Sequence, residues 1–143
     1  MIETALKIIE KSFAGKTDIA GQPYINHLKR VSEKCNSNEV KVVALLHDLL
    51  EDCPEWNEKA LRIFFNDSIV DSVVALTRKH GQSYYQYISQ ILDDGWAVVV
   101  KKYDLEDNMN ITRLKELTKE DFDRLSKYHK AYLRILEAPE NSN

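Results

Sequence analysis

Apolar residues recur at helical spacing along most of this chain. Ile2, Ala5, Leu6, Ile9 and Phe13 fall three and four apart, which predicts an amphipathic first helix that Gly15 is placed to end. A polar connector follows, Lys16-Thr17-Asp18-Ile19-Ala20-Gly21-Gln22. Pro23 then suits the first turn of a second helix running through Tyr24, Ile25, His27, Leu28 and Val31 toward Cys35. Asn36-Ser37-Asn38 reads as a turn, with Asn38 as N-cap of a third helix. The apolar run Val42-Val43-Ala44-Leu45-Leu46 marks that helix as buried, and it is expected to continue through Asp52 until Cys53-Pro54 closes it.

The second half repeats the pattern. Asn57 to Phe65 predicts a short helix with Trp56, Leu61, Phe64 and Phe65 as its apolar side. Asp67 is the expected cap of the next, in which Ile69, Val70, Val73, Val74 and Leu76 are core and Thr77-Arg78-Lys79-His80-Gly81 is the stop. Ser83-x-x-Gln86 is a capping box, opening a helix with Tyr84, Tyr87, Ile88, Ile91 and Leu92. After the turn Asp93-Asp94-Gly95, Val98-Val99-Val100 would suit a strand, but the spacing downstream to Met109 is helical. Thr118-x-x-Asp121 caps a last helix with an apolar stripe of Phe122, Leu125, Tyr128, Leu133 and Leu136. The expected class is all-α, and four Gly and three Pro in 143 residues leave little turn chemistry for a sheet. Residues 1–138 read as one domain and 139–143 as a loose tail.

Composition narrows the function. A net charge of −3 argues against general nucleic-acid binding, which needs a basic surface, but not against a small anionic substrate. Cys35 and Cys53 lack metal-type spacing and a disulfide framework, so reduced thiols in the cytoplasm are expected. The N-terminus has neither the basic segment nor the apolar run of a signal peptide, and no stretch approaches the length of a membrane span. Tyr84, Tyr87 and Trp96 are expected in the core.

The informative chemistry sits where the central helix turns polar. His47-Asp48 and Glu51-Asp52 stack on a helical face, one imidazole and three carboxylates against an apolar core with no Lys or Arg among them. Such groups are costly to bury unless paired or bound to metal, so a cation is the natural partner; a solvated helix end is the alternative. His27 lies among apolar positions and points inward, as a satisfied core histidine or a ligand. Asp104 and Asn108, four apart, suit a ligand and its neighbour, or a solvated polar face.

In order, His27, His47-Asp48 and Asp104 resemble the H…HD…D motif of the HD-domain metallohydrolases. Pro23-Tyr24-Ile25-Asn26-His27, Ala44 to Asp52, Val74-Ala75-Leu76-Thr77-Arg78 and Tyr103 to Met109 look like the hydrolase domain of RelA/SpoT-type alarmone enzymes and their small stand-alone relatives. The resemblance spans residues 14 to 113 and implies an HD-type helical bundle. It also implies His27, His47, Asp48 and Asp104 as ligands of a divalent metal, Mn²⁺ first and Fe²⁺ or Zn²⁺ next. Glu51 and Asp52 would activate or orient the attacking water, and Asn108 would lie beside metal or substrate. Two departures fall elsewhere: Lys16-Thr17-Asp18 replaces a common Arg-Lys pair, and Asp107 stands where a histidine is frequent.

The expected activity is hydrolysis of a nucleotide phosphate ester or pyrophosphate, with guanosine 3′-diphosphate alarmones (ppGpp) the first substrate to test. Lys16, Lys101, Lys102, Arg78 and Lys79 are candidate phosphate contacts. No synthetase domain or regulatory tail is expected. Other nucleotide phosphate esters are the alternative substrates, and a nucleotide sensor that retains the metal site or a purely structural helical domain are the rival classes.

Overall fold

In a computed structural model residues 1–139 are described, so of the expected tail only Pro139 is included. The helices are α1 (Ile2–Ser12), α2 (Ile25–Glu33), α3 (Asn38–Leu46), α4 (Leu49–Asp52) and α5 (Glu58–Phe64). They continue as α6 (Asp67–Ala75), α7 (Tyr84–Ile91), α8 (Gly95–Asn108) and α9 (Lys119–Leu136), with a single 3-10 turn at Ile111–Arg113. Among the described residues no strand forms beyond an isolated antiparallel bridge between Thr17 and Pro23. No described helix is long and apolar enough to cross a membrane.

The run Val42 to Leu46 puts apolar atoms all round α3, and such a helix can only be stable inside. α1, α2, α6 and α8 accordingly pack around it, and α9 lies against α8. Leu46 has no solvent exposure. Leu46→Ala is expected to cost about 2–5 kcal/mol in stability, read by urea denaturation.

Capping residues start the helices. The capping boxes Ser83/Gln86 and Thr118/Asp121 form as predicted. Two expected caps move back by one residue, to Ser37 from Asn38 and to Asn66 from Asp67. The cause is backbone conformation: Ser37 and Asn66 are extended, so their side-chain oxygens reach the N–H groups of Val40 and Ile69, while Asn38 and Asp67 are already helical. Pro23 does not open α2. It pairs with Thr17 across a folded connector in which Asp18 Oδ1 accepts from the Ala20 and Gln22 N–H groups, each at 2.9 Å. Gly21, at φ +83°, makes the reversal possible.

The central helix is also not continuous. α3 ends at Leu46, and α4 begins at Leu49. His47 Nδ1 donates to the Ala44 carbonyl at 2.6 Å, competing for the acceptor that would continue the helical ladder. His47 and Asp48 therefore occupy a junction instead of the interior of one long helix. Along α9 the packed face differs from the predicted stripe: Ala131 and Ile135, outside it, are buried, Tyr128 packs against the core, and Phe122, Leu133 and Leu136 are about half exposed (54%, 48% and 51%). Tyr87 is buried as expected; Tyr84 and Trp96 are partly so.

Candidate metal centre

Three places in the fold converge beside α3. α2 carries His27 inward from the face it shares with Leu28 and Val31, the α3–α4 junction supplies His47 and Asp48, and α8 supplies Asp104. His27, His47 and Asp104 are 3%, 2% and 4% exposed, and Asp48 is partly buried. His27 Nε2 and His47 Nε2 lie 2.9 Å and 3.2 Å from Asp104 Oδ1, and 3.9 Å and 3.2 Å from Asp48 Oδ2.

These atoms suit a divalent cation. One ligand atom from each of the four residues can be chosen so that all lie within 4.8 Å of one another. Adjacent ligands at about 2.1 Å from a six-coordinate ion stand about 3.0 Å apart, and opposite ones about 4.2 Å apart. The measured separations fall in or just below that range. The set mixes two imidazoles with two carboxylates, a combination that suits borderline and hard divalent ions. Both rings are also turned correctly. His47 Nδ1 faces a carbonyl and His27 Nδ1 faces the Asp107 carboxylate at 2.6 Å, so the protons sit there and both Nε2 atoms point at the cluster.

The surroundings hold the Asp104 carboxylate as an anion. Burial opposes charge on Asp104, but Lys101, His47 and His27 outweigh it and keep its carboxyl well below the usual range. Lys101 Nζ donates to Asp104 Oδ2 at 2.9 Å, and Asn108 Nδ2 donates to Oδ1 at 3.1 Å. The Tyr24 hydroxyl donates to Asp48 Oδ2 at 2.6 Å, and burial together with the Asp48 charge pushes that phenol up, so it stays a donor.

His27 carries a testable signature. Burial disfavours its charge, but the hydrogen bonds the ring donates to Asp104 and Asp107 reverse that and raise it from 6.5 to about 10. Without a cation the ring is therefore protonated at neutral pH, whereas a metal requires a free Nε2. Metal binding at pH 7.5 is expected to release about one proton from His27, and affinity should rise with pH up to about 10. Calorimetry in buffers of different ionisation enthalpy measures this; binding that releases no protons would contradict it.

The remaining predicted residues divide. Glu51 and Asp52 lie one turn beyond Asp48, on the exposed side of α4. Glu51 Oε1 accepts from the Arg78 N–H at 2.7 Å, which tethers α4 to the end of α6. Partial desolvation, with the charges of Asp48 and Glu51, raises Asp52 to about 6, while Lys16 and His47 pull it back. Lys16 Nζ donates to the Asp52 carbonyl at 2.9 Å, so it stands at this edge of the cluster. Arg78 packs its guanidinium over Tyr84, with Nε on the Gln82 carbonyl. Lys101 is brought in, but as the buried partner of Asp104 and not as a solvent-facing contact. Lys102 is not brought in: it lies over the Tyr103 ring at 5.1 Å, beside a cavity lined by Asn36 and Leu136. Lys79 is exposed, with its backbone N–H on the Gln82 side chain.

Tyr24, which donates to Asp48, Asp107, which meets His27, and Arg30, which grips Asp107, have no site role in the sequence pattern alone. Tyr24 and Arg30 flank His27 by three positions on the chain, and Asp107 follows Asp104 by three. That spacing places each on the ligand's face of its helix and was the available signal.

No family model matches the sequence, and no curated protein matches it. Among solved structures, the chain superposes on a metazoan orthologue of SpoT that hydrolyses ppGpp and plays a role in starvation responses. The TM-score is 0.75 over 98% of this chain and 87% of that one, at 18% identity. The likeness shows a shared fold: this chain is an all-α, HD-domain-like helical bundle.

Proposed function

We propose, from a fold shared with a ppGpp-hydrolysing SpoT orthologue, that this chain is a metal-dependent phosphohydrolase acting on a nucleotide, with ppGpp as the first substrate to test. The observation that carries the reading is the convergence of His27, His47, Asp48 and Asp104 on one small volume. These four residues are the proposed ligands, and Mn²⁺ is the first metal to try, with Fe²⁺ and Zn²⁺ next. A divalent cation held by these residues would lower the pKa of a bound water and would offset phosphate charge in the transition state.

The chain's own groups supply the rest. Asp52, with its carboxyl raised to about 6, is basic enough to take a proton from an attacking water near neutral pH and acidic enough to release it. Glu51, fixed by the Arg78 N–H, orients that water or the reacting phosphate. Lys16 and Arg78, at the two edges of α4, are the proposed phosphate contacts. Asn108, bonded to Asp104, faces a cavity shared with Tyr24, Arg30 and Arg113, where a nucleotide can meet its amide. Lys101 holds Asp104 in place. Cys35 and Cys53, both buried and free, fit a reducing compartment such as the cytoplasm.

A Mn²⁺-supplemented assay on a nucleotide panel headed by the guanosine alarmones tests the proposal, with Asp48→Ala as control. Release of pyrophosphate from the 3′ position, lost in the variant, is the expected result. Hydrolysis of other phosphate esters alone would retain the mechanism and change the substrate. Tight nucleotide binding with metal present and no product released would replace the enzyme with a sensing module.

A further inference from the structure

We propose that Asp107 is a positioning residue for the metal centre, fixing the orientation and tautomer of His27 and strengthening its Nε2 as a donor. The inference rests on the reading of His27, His47, Asp48 and Asp104 as metal ligands.

Geometry separates the two histidines. His47 Nδ1 meets a neutral backbone carbonyl, that of Ala44, within its own segment. His27 Nδ1 meets an anionic carboxylate, Asp107 Oδ2, from a helix eighty positions away, at 2.6 Å. The carboxylate is itself gripped. Arg30 Nε donates to Oδ1 at 2.8 Å and Arg30 Nη2 to Oδ2 at 3.0 Å. Arg113 Nη2 donates to the Asp107 backbone carbonyl at 2.8 Å and stands 3.4 Å from Oδ2. Asp107 is only 5% exposed, while both arginine side chains are about 30% exposed and close it from solvent. A buried carboxylate needs compensation, and two arginines already supply it.

The short bond to His27 then acts on the ring. An acceptor at Nδ1 holds the proton there and leaves the Nε2 lone pair free for a cation. Without it the proton can move to Nε2, which then cannot act as a ligand, and the ring can turn about its χ2 bond. An anionic acceptor also draws the proton toward itself and makes the opposite nitrogen a stronger donor, as carboxylate–histidine–metal arrangements do. Arg30 stands three positions beyond His27 on α2, and Asp107 three beyond Asp104 on α8, so one pairing locks two ligand-bearing helices together.

Mn²⁺ titration by calorimetry of the wild type, Asp107→Asn and Asp107→Ala tests the role, with melting temperatures of the metal-free proteins measured in parallel. Asn keeps the size and an acceptor oxygen without the charge. It is expected to weaken Mn²⁺ binding about 10-fold, and Ala up to about 100-fold. In ¹⁵N-histidine-labelled protein loaded with diamagnetic Zn²⁺, the His27 Nδ1–H resonance should move upfield in Asp107→Asn, while that of His47 stays in place. A purely structural role would lower the melting temperature and leave affinity and resonance unmoved. If Asp107→Asn binds Mn²⁺ as the wild type does with an unshifted His27 signal, the proposal fails and the metal reading stands. If Asp107→Ala does not fold, the Asn variant decides. If the wild type binds no Mn²⁺, the metal reading falls and takes this role with it.

Discussion

Asp48→Ala is expected to strip the purified protein of divalent metal and to abolish its hydrolytic activity. Asp48 is one of the four proposed ligands, and its Oδ2 lies 3.2 Å from His47 Nε2, the same distance as Asp104 Oδ1. Removing it leaves Asp104 as the remaining carboxylate ligand, already neutralised by Lys101 at 2.9 Å. The local balance then turns against a cation. Binding free energies of about 10–16 kcal/mol spread over four ligands correspond to a loss of roughly 10²- to 10³-fold in affinity when one is removed. Elemental analysis after dialysis, with Mn²⁺ calorimetry, measures the loss. Full metal occupancy in the variant would overturn the ligand assignment. The fold should persist, since Asp48 is partly exposed at the α3–α4 junction.

Asp52→Asn should behave in the opposite way, keeping the metal and losing turnover by about 10²- to 10⁴-fold. Its pH dependence follows from the raised carboxyl. A base must be ionised to accept a proton, and Asp52 is increasingly protonated below about 6, so kcat/KM should climb through that pH and level off above it. A bound cation favours the ionised form and moves the limb to lower pH. The limb should vanish in Asp52→Asn. Glu51→Gln should also retain metal and turn over slowly, but with the acid limb still present, because its proposed role is orientation. If Asp52→Asn keeps both its rate and its limb, the base is elsewhere.

Much of this was open to reading along the chain. The 3.6-residue period located the helices, including the one beginning Val98-Val99-Val100, where β-branched residues might suggest a strand but α8 forms. The pairs His47-Asp48 and Asp104/Asn108 were legible because adjacency and a spacing of four are local geometry; Asn108 Nδ2 does reach Asp104 at 3.1 Å. Errors arose where a local rule met a second influence. The helix through His47 was read as continuous because its residues favour one, yet the His47 side chain takes the Ala44 carbonyl. Lys101 and Lys102 were grouped as phosphate contacts because both are cations, but neighbours on a helix point about 100° apart. One is buried against Asp104, and the other lies over Tyr103. On the last helix Tyr128, Ala131 and Ile135 form the packed face, and Phe122, Leu133 and Leu136, though apolar, stay exposed.

By itself the sequence determined the all-helical class, the caps within a residue and the buried run at the centre. These follow from periodicity, which depends on residues a turn apart. Only the tertiary structure decided which faces meet. His27 and Asp104 are separated by 77 positions, and His47 and Asp104 by 57, yet their side chains come within 2.9 Å and 3.2 Å. It likewise decided that Asp107 would serve His27 and that Asp52 would carry a raised pKa. The first depends on a helix far along the chain and the second on burial by the rest of the fold beside Asp48 and Glu51, and a helix's own period carries no information about its neighbours.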